Sequence, residues 1–377
     1  MKPTPSLLKT VVIALSIAWA LGAALAAQNP PQAVPMAESV FKNVQVLKGI
    51  PVDEFMATMG FFAAAVGLNC TDCHVDESGG SWAKYADDND LKRTTRRMIQ
   101  MVTALNKASF GGRQMVTCNT CHRGNSRPNV MPSLAQLYAS PPPDEPGDPV
   151  EQAPGQPSPD QVLDKYIQAI GGAQRAAAFT SFTAKGTYLG FDDAEKRTLE
   201  IFAKAPSQRA TITRSADGPS TTIVDGASGW IAGLENERPL PLIAITGQEL
   251  DGVRLEAELS FPSRIKQALG KWRTGPPAVL GDREVRVVQG NTPGGGTVTL
   301  CFDSESGLLV RLVRFTESPV GRLVTQVDYT NYRDVAGVKM PFKWTVSWLN
   351  GRSVYELTDV QPNAAIAASR FARPAAR

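Results

Sequence analysis

Two stretches in the first third of the chain place apolar residues at helical spacing. The first follows Pro51-Val52-Asp53-Glu54, where an early proline and two acidic residues suit a helix N-terminus, and it runs to Val66 before Gly67. The second should begin at Asp90 and end before Gly111-Gly112. One face of this second helix would carry Leu91, Thr94, Met98, Met101, Val102 and Leu105. This part of the chain is therefore predicted to be mainly α-helical.

The pattern changes after about residue 160 to short alternating apolar runs, which are typical of strands. A short helix is expected at 161–170, and a longer helical stretch at 255–272, which Pro262 should break or kink. We predict a β-rich (α+β) region, a strongly curved antiparallel sheet with one or two covering helices. Its strands are expected at 182–189, 198–203, 208–213, 220–224, 229–232, 284–288, 297–302, 308–315, 320–332, 343–349 and 353–358.

The composition changes twice along the chain, which predicts a multidomain protein. Residues 38–135 hold the helical pattern, 136–160 are rich in proline and should form an extended linker, and 161–370 hold the β-rich pattern. Residues 1–26 predict a signal peptide, with two lysines, an apolar run and an Ala24-Leu25-Ala26 cleavage site. The alternative is an uncleaved membrane anchor. We expect the protein to be exported to the periplasm.

The net charge and the number of histidines exclude some classes of function. The net charge of +3 is too small to indicate nucleic-acid binding. The 377 residues include only two histidines, His74 and His122, so a site with three histidines is excluded.

Four of the five cysteines lie in two copies of one short motif. Cys70-Thr71-Asp72-Cys73-His74 and Cys118-Asn119-Thr120-Cys121-His122 are both C-x-x-C-H, the attachment signature of c-type haem. Two thiols three residues apart can reach the two vinyl groups of one porphyrin, and the adjacent imidazole becomes the proximal iron ligand. The sequence therefore predicts two covalently bound c-type haems.

Paired cysteines also occur in zinc sites, redox dithiols and structural disulfides. A shared zinc site is disfavoured because 44 residues separate Cys73 from Cys118, whereas zinc ribbons use roughly 15–20. A redox dithiol or two structural disulfides would not require a histidine after each pair.

The sixth ligand of each iron cannot be a histidine if both histidines are proximal ligands. Because both are needed as proximal ligands, a methionine thioether is the expected partner, and Lys, Asn or an open position are the alternatives. The two helices offer Met56 or Met59, and Met98 or Met101. Pattern alone does not choose within either pair, since methionine also fills core gaps.

With their flanks, the two motifs resemble the cytochrome c subunit of bacterial photosynthetic reaction centres over residues 39–124, roughly a quarter of the chain. The matching stretches are Val40-Phe41-Lys42-Asn43-Val44-Gln45-Val46-Leu47, Glu54-Phe55-Met56-Ala57-Thr58-Met59, Arg96-Arg97-Met98-Ile99-Gln100-Met101 and Val116-Thr117-Cys118-Asn119-Thr120-Cys121-His122-Arg123-Gly124, besides the first C-x-x-C-H.

The resemblance implies a mainly α multihaem cytochrome c domain in which each helix supplies the methionine ligand for the haem motif that follows it. It pairs Met59 with His74 and Met98 with His122, and it assigns Met56 and Met101 to the core. Tetrahaem members of the family carry four such motifs, whereas this chain has two. Residues 106–115 also lack the histidine that ligates a distant haem in those members.

The β-rich region resembles, in strand pattern alone, the half-barrel of periplasmic lipoprotein carriers. An apolar ligand or a protein is the partner that this resemblance implies. Five large residues, namely Trp230, Phe315, Tyr329, Trp344 and Trp348, are expected mostly in the core rather than around a cavity. Cys301 should be a buried free thiol.

These observations predict a non-enzymatic periplasmic dihaem cytochrome that transfers single electrons to and from redox proteins or a membrane electron-transfer complex. The alternatives are a peroxidase-like haem enzyme with one open iron, and a redox-sensing module that binds a lipid or a quinone. No spare histidine could act as a distal acid–base group, which disfavours the enzyme.

Overall fold

The computed structural model describes residues 34–139, 150–191, 193–216, 218–233 and 240–375. Contacts divide the chain into two compact units, Met1–Pro35 and Met36–Arg377, and the elements below all lie in the second. The predicted signal peptide and residues 140–149 of the predicted linker lie outside the described residues.

Two long helices form the first part of this unit, as the apolar spacing predicts. Helix α1, Val52–Val66, follows Pro51 and ends before Gly67. The φ of Gly67 is +67°, a left-handed conformation that glycine adopts readily, and its N–H donates to the Ala63 carbonyl. Helix α2, Asp90–Phe110, begins at Asn89, whose side chain accepts the N–H of Lys92. Shorter helical turns are Ala37–Val40, Cys70–Cys73, Asp76–Gly79, Trp82–Ala86, Cys118–His122 and Leu134–Leu137.

Fourteen strands of the described residues form one antiparallel sheet. They run in chain order as neighbours from β1 to β6 and from β9 to β14, and β1 pairs with β14. β7 and β8 both pair with β9. The strands are β1 Ser181–Leu189, β2 Arg197–Lys204, β3 Gln208–Ser215, β4 Gly218–Val224, β5 Gly229–Ala232, β6 Leu242–Ile245, β7 Gly270–Thr274, β8 Ala278–Leu280, β9 Arg283–Asn291, β10 Thr297–Asp303, β11 Leu309–Ser318, β12 Gly321–Val335, β13 Val338–Trp348 and β14 Gly351–Pro362.

Three further helices pack on this sheet: α3 Pro159–Ala169, α4 Ala173–Ala178 and α5 Gly247–Leu259. Ser158 caps α3 and Pro159 opens it, so this helix starts two residues before the predicted 161. Leu163 of α3 and Leu255 of α5 share a buried cluster with Leu312 and Val327 of the sheet. The core of this part therefore lies between the helices and one face of the sheet.

The predicted helical stretch 255–272 is wrong at both ends. Helix α5 already begins at Gly247, and Trp272 lies in strand β7. Pro262 lacks the N–H needed to continue a helix, so the chain makes two short turns, Pro262–Arg264 and Ile265–Ala268, and then pairs with β9.

The predicted strands each overlap one observed strand, but several are too short and β6, β7 and β8 were missed. β13 begins at Val338 rather than at 343 and includes Pro341. Residues 338–342 pair only with β12, because the pairing with β14 starts at Lys343. Proline is tolerated on such an unpaired strand edge, although its sequence signal argues against a strand.

Helix α1 packs against the end of the β11–β12 hairpin. Phe61 and Ala65 share a buried cluster with Val320 and Leu323. A Cβ atom on Gly321 would lie 2.6 Å from Cζ of Phe61, so this close approach requires glycine. The helical part and the sheet thus share an apolar contact.

Polar contacts support the same junction. Asp53, in the first turn of α1, accepts hydrogen bonds from the N–H of Thr246 at 2.6 Å and from its hydroxyl at 2.9 Å. The Gln114 amide donates to the Ser318 carbonyl at 2.6 Å. Burial raises the pKa of Asp53, and the bonds from Thr246 oppose that rise.

An ion cluster around the buried guanidinium of Arg314 links α5 to β11. The Arg314 guanidinium, whose side chain is 6% exposed, bonds both oxygens of Glu249 at 2.6 and 2.9 Å and one oxygen of Glu256 at 3.1 Å. Burial alone would lower the pKa of Arg314, but the two carboxylates outweigh it and raise that pKa. Removing this cation would leave two carboxylates without their partner.

We therefore expect Arg314→Met to lower the free energy of unfolding by about 3 kcal/mol. Arg214→Met is the matched control, because Arg214 pairs with Glu200 at a side-chain exposure of 45% and should contribute under about 1 kcal/mol. Urea denaturation followed by circular dichroism measures both. Equal losses in the two variants would contradict the assigned role of the ion cluster.

Asp53 should make stability depend on pH in a defined direction. Since its pKa is raised in the folded state above 3.8, the unfolded chain releases this proton first as pH rises, and folded-state stability falls across that window. Asp53→Asn keeps an oxygen acceptor for Thr246 and should make this fall smaller, while Glu54, whose pKa burial also raises, keeps part of it. Urea denaturation from about pH 4 to 7 compares it with wild type and with the exposed Asp282→Asn, which should retain the fall.

Candidate functional site

The four motif cysteines lie in two single helical turns, Cys70–Cys73 and Cys118–His122. Within each turn the cysteines are three residues apart, so their side chains point to the same side. All four are free thiols in the structure; Cys70 and Cys121 are exposed, whereas Cys73 and Cys118 are half-buried. Asn69 and Thr117 cap the two turns through reciprocal bonds with the residues three positions later.

Both histidines make the same hydrogen bond. Nδ1 of His74 lies 3.1 Å from the Tyr85 carbonyl, and Nδ1 of His122 lies 2.9 Å from the Asn125 carbonyl. A carbonyl only accepts, so Nδ1 of each ring carries a proton, and the lone pair of the neutral ring is then on Nε2. This is the arrangement that metal-ligating histidines use to orient the ring.

The surroundings of His74 favour its neutral form. The Tyr85 ring packs on the imidazole at a centroid distance of 4.7 Å. Burial, followed by the charge of Lys92, lowers the pKa of His74. The neutral imidazole is the form that binds a metal.

An open cleft of about 650 Å³ lies beside His74. Its wall combines the apolar side chains of Leu68, Val75 and Leu91 with acidic ones. The acidic side chains in the wall are Asp72, Asp76 and Glu77. A large planar group with an apolar body could therefore lie against His74 at this place.

Two asparagines at the ends of α2 hold the two turns. The Asn89 amide donates to the Cys73 carbonyl at 3.0 Å. Asn106, which is 6% exposed, donates to the Val116 carbonyl at 2.7 Å and accepts the Val116 N–H at 3.0 Å. Neither asparagine was predicted as a functional residue; an N-cap pattern signals Asn89, whereas nothing local signals Asn106.

The two motifs also meet near the end of α1. The N–H of Gly124 bonds the Ala65 carbonyl at 2.9 Å, and a Cβ on Gly67 would lie 2.2 Å from the Gly124 oxygen. Gly67 is three residues before Cys70, and Gly124 is two residues after His122. The segments that flank the two attachment turns, Cys70–Cys73 and Cys118–His122, are therefore in contact.

The methionine ligands stay predictions, because the structure does not bring a methionine sulfur and a histidine together in a described contact. Met59 on α1 and Met98 on α2 are both half-buried. The assignment of Met56 and Met101 to the core is wrong, since their exposed fractions are 39% and 50%. Each lies on the same helix as a predicted ligand but turned towards solvent.

The described residues contain no group of three or more His, Cys, Asp or Glu side chains that could hold a metal ion. The four motif cysteines are thus not gathered into the shared zinc site that is the alternative to haem. Across the same residues, no helix is long and apolar enough to cross a membrane.

In the sheet, Cys301 on β10 is a buried free thiol, as predicted, and burial raises its pKa to about 11. Of the five large residues expected mostly in the core, none is fully buried. Trp230, Phe315, Tyr329 and Trp344 are half-buried, and Trp348 is 37% exposed.

Solved structures similar to the sheet have low sequence identity. A LolA superfamily protein from Nitrosomonas europaea is 15% identical, with a TM-score of 0.38 over 58% of this chain and 98% of its own. A candidate outer membrane lipoprotein-sorting protein domain from Vibrio parahaemolyticus is 8% identical, with a TM-score of 0.39 over 56% and 94%. Such TM-scores carry no information about the function of this half.

The helical part is similar in sequence to proteins of one family. Residues 18–141 match the family model of the photosynthetic reaction centre cytochrome C subunit. The subunit from Thermochromatium tepidum is 39% identical over 113 residues, and that from Rubrivivax gelatinosus is 32% identical over 120. These matches cover 27% and 28% of this chain, which spans only 27% and 30% of the length of those relatives. The part of the chain that carries both C-x-x-C-H motifs is therefore similar to the photosynthetic reaction centre cytochrome c subunit, as its flanking residues predict.

Proposed function

We propose that this protein is a dihaem c-type cytochrome that transfers single electrons. The observation that carries the proposal is the repeated histidine geometry: in both motifs Nδ1 bonds a backbone carbonyl, which leaves Nε2 available beside a pair of free thiols. The likeness of residues 18–141 to reaction centre cytochrome c subunits supports it independently.

The residues that would hold each group come from one helix and one turn. Cys70 and Cys73 would attach the first haem, with His74 and Met59 as ligands. Cys118 and Cys121 would attach the second, with His122 and Met98 as ligands. When bound, each haem supplies a one-electron iron couple, whose potential a methionine ligand raises.

The chain itself orients and shields these positions. The backbone carbonyls of Tyr85 and Asn125 fix the imidazole rings, while Asn89 and Asn106 fix the backbone beside the cysteines. Two filled axial positions would keep substrates from the iron, which separates an electron carrier from an enzyme. A peroxidase-like enzyme would further need a distal acid–base group, and the sequence has no third histidine.

We further propose a periplasmic location and a redox protein or membrane electron-transfer complex as partner. The predicted signal peptide supports export. The named relatives are reaction centre subunits, but this chain matches about a quarter of their length and has two attachment motifs. A reaction centre is therefore one candidate among the membrane electron-transfer complexes proposed as partner.

The ligand assignment predicts a split between neighbouring methionines. In protein matured with haem, Met59→Ala and Met98→Ala should each remove half of the methionine–iron absorption band, lower one reduction potential and allow carbon monoxide to bind one iron. Met56→Ala and Met101→Ala, on the same two helices, are the matched controls and should leave all three unchanged. Optical spectra with and without carbon monoxide, and a redox titration, measure these effects.

Two outcomes would contradict the proposal. Fewer than two covalent haems per chain in a pyridine haemochrome assay would remove the dihaem cytochrome. Carbon monoxide binding by the unaltered protein would mean an open iron, and the enzyme or sensor would then replace the electron carrier.

The role of Asn106 gives a separate prediction. Asn106→Leu removes both bonds to Val116 and should lower the free energy of unfolding by about 2 kcal/mol, since two backbone groups lose their partners. It should also reduce haem attachment at Cys118 and Cys121, but not at Cys70 and Cys73. Urea denaturation and peptide mass spectrometry measure this, with the exposed Gln100→Leu on the same helix as control. An equal loss of attachment at both motifs would contradict the local role.

A further inference from the structure

Charge is distributed unevenly along the helical part of the chain. Residues 36–90 contain nine aspartates and glutamates and three lysines, whereas residues 91–143 contain eight lysines and arginines and no acidic residue. The chain as a whole has a net charge of only +3. Positive charge is therefore concentrated on the stretch that holds the second attachment motif, and such a field attracts anionic partners.

Most of these eight cations have no carboxylate partner. Lys92, Arg93 and Arg96 pair with Asp88 or Asp90 at the start of α2. The other five are exposed, and none of them forms an ion pair with a carboxylate of the described residues: Arg97, Lys107, Arg113, Arg123 and Arg127. Their charges are thus available to an anion outside the chain.

An exposed apolar segment, residues 130–138, follows the last of these cations. Five large side chains of this segment have exposed fractions between 68% and 89%: Val130, Met131, Leu134, Leu137 and Tyr138. Single exposed apolar side chains are common, but five in so short a segment form a patch, and such patches mark interaction sites. Val130 lies three residues after Arg127, so their Cα atoms are at most about 11 Å apart.

The backbone of the segment arranges part of this patch. The N–H groups of Leu137 and Tyr138 bond the carbonyls of Ser133 and Leu134 at 2.9 and 3.1 Å, which forms one helical turn. Leu134 and Leu137 are three residues apart in that turn and therefore lie on the same side of it. Tyr138 adds an aromatic ring with a polar end, the type of side chain that is enriched where a membrane meets water.

An anionic membrane surface accounts for both features together. Arginine side chains bind lipid phosphates, while apolar side chains enter the boundary between the headgroups and the acyl chains. Stable attachment at a membrane surface usually needs two such signals. An acidic protein would account for the cations, but it would also need an interface of matching shape for side chains that project from a single turn, whereas a bilayer needs none.

We propose that Arg123, Arg127 and the exposed segment 130–138 bind the surface of a membrane that contains anionic phospholipids. The two arginines would contact lipid phosphates, and Leu134, Leu137 and Tyr138 would enter the headgroup region. The second C-x-x-C-H motif ends directly before Arg123, so this attachment would hold that motif beside the membrane. The inference concerns lipid binding and does not rest on the proposed electron transfer.

Co-sedimentation with lipid vesicles tests the inference on the full chain matured with haem. Wild type should bind vesicles of phosphatidylcholine with phosphatidylglycerol about tenfold or more tightly than vesicles of phosphatidylcholine alone. The double variant Arg123→Gln and Arg127→Gln should weaken binding to the anionic vesicles about tenfold or more. The double variant Leu134→Ser and Leu137→Ser should weaken it to a similar degree, because it removes the apolar contact.

The controls change exposed side chains of the sheet. Arg175→Gln combined with Arg283→Gln removes the same two charges, and Val279→Ser removes an apolar side chain that is 69% exposed. Both should bind the anionic vesicles as wild type does. All variants share one N-terminus, so any contribution of residues 1–26 is the same in each.

Binding to anionic vesicles that both double variants weaken and both controls retain supports the proposal. Absence of binding to anionic vesicles would overturn it and leave an acidic protein as the occupant of the basic surface. Unchanged binding by the leucine variant would also overturn it, since another group, such as the second haem, would then cover these side chains. Equal binding to the two kinds of vesicle, or an equal loss in the arginine control, would overturn it as well.

Discussion

The hydrogen bonds from two asparagine side chains to the backbone are the constraint on which the candidate site depends. Asn89 and Asn106 lie 17 residues apart on one helix, which at about 1.5 Å per residue corresponds to roughly 26 Å. Each fixes the backbone beside one attachment turn. The turns are too short to define their own orientation, because a single helical turn has a high cost of nucleation. Helix α2 therefore sets the distance between the two backbone positions that these asparagines bond, at Cys73 and Val116. The carbonyls of Tyr85 and Asn125 then orient the two imidazoles.

The second half of the chain also helps to hold the helices and turns of the candidate site in place. Helix α1 contacts the β11–β12 hairpin through Phe61, and its first turn is bonded to Thr246 through Asp53. Cys118 packs beside that apolar cluster as well. The sheet thus supports one attachment turn directly, while the other lies against the α2 N-terminus and an open cleft. The two copies of the same motif therefore have different neighbours, although each holds one exposed and one half-buried cysteine.

Sequence predicted those features that depend on local chemistry. The bounds of α1 and α2 follow from the proline before α1, the apolar spacing and the glycines after each helix, and the two attachment motifs follow from the C-x-x-C-H spacing. Predictions failed where a distant partner decides. Trp272 joins a strand because β9 is there to pair with it, and Pro341 is tolerated because β13 has one free edge at that point. Asn106 carried no signal, since a polar residue inside a helix looks unfavourable until the loop that it bonds is known.

The burial of Cys301 has a consequence for how the protein could mature. Thiol–disulfide exchange proceeds through the thiolate, and a pKa of about 11 leaves roughly one thiolate in ten thousand at neutral pH. The thiol is also enclosed by the sheet, so an attacking sulfur could not approach it. In an oxidising compartment a fifth reactive cysteine could pair wrongly with any of the four in the motifs. Once the sheet has folded, Cys301 is kinetically excluded from that competition, and the order in which the two halves fold then decides whether mispairing arises at all.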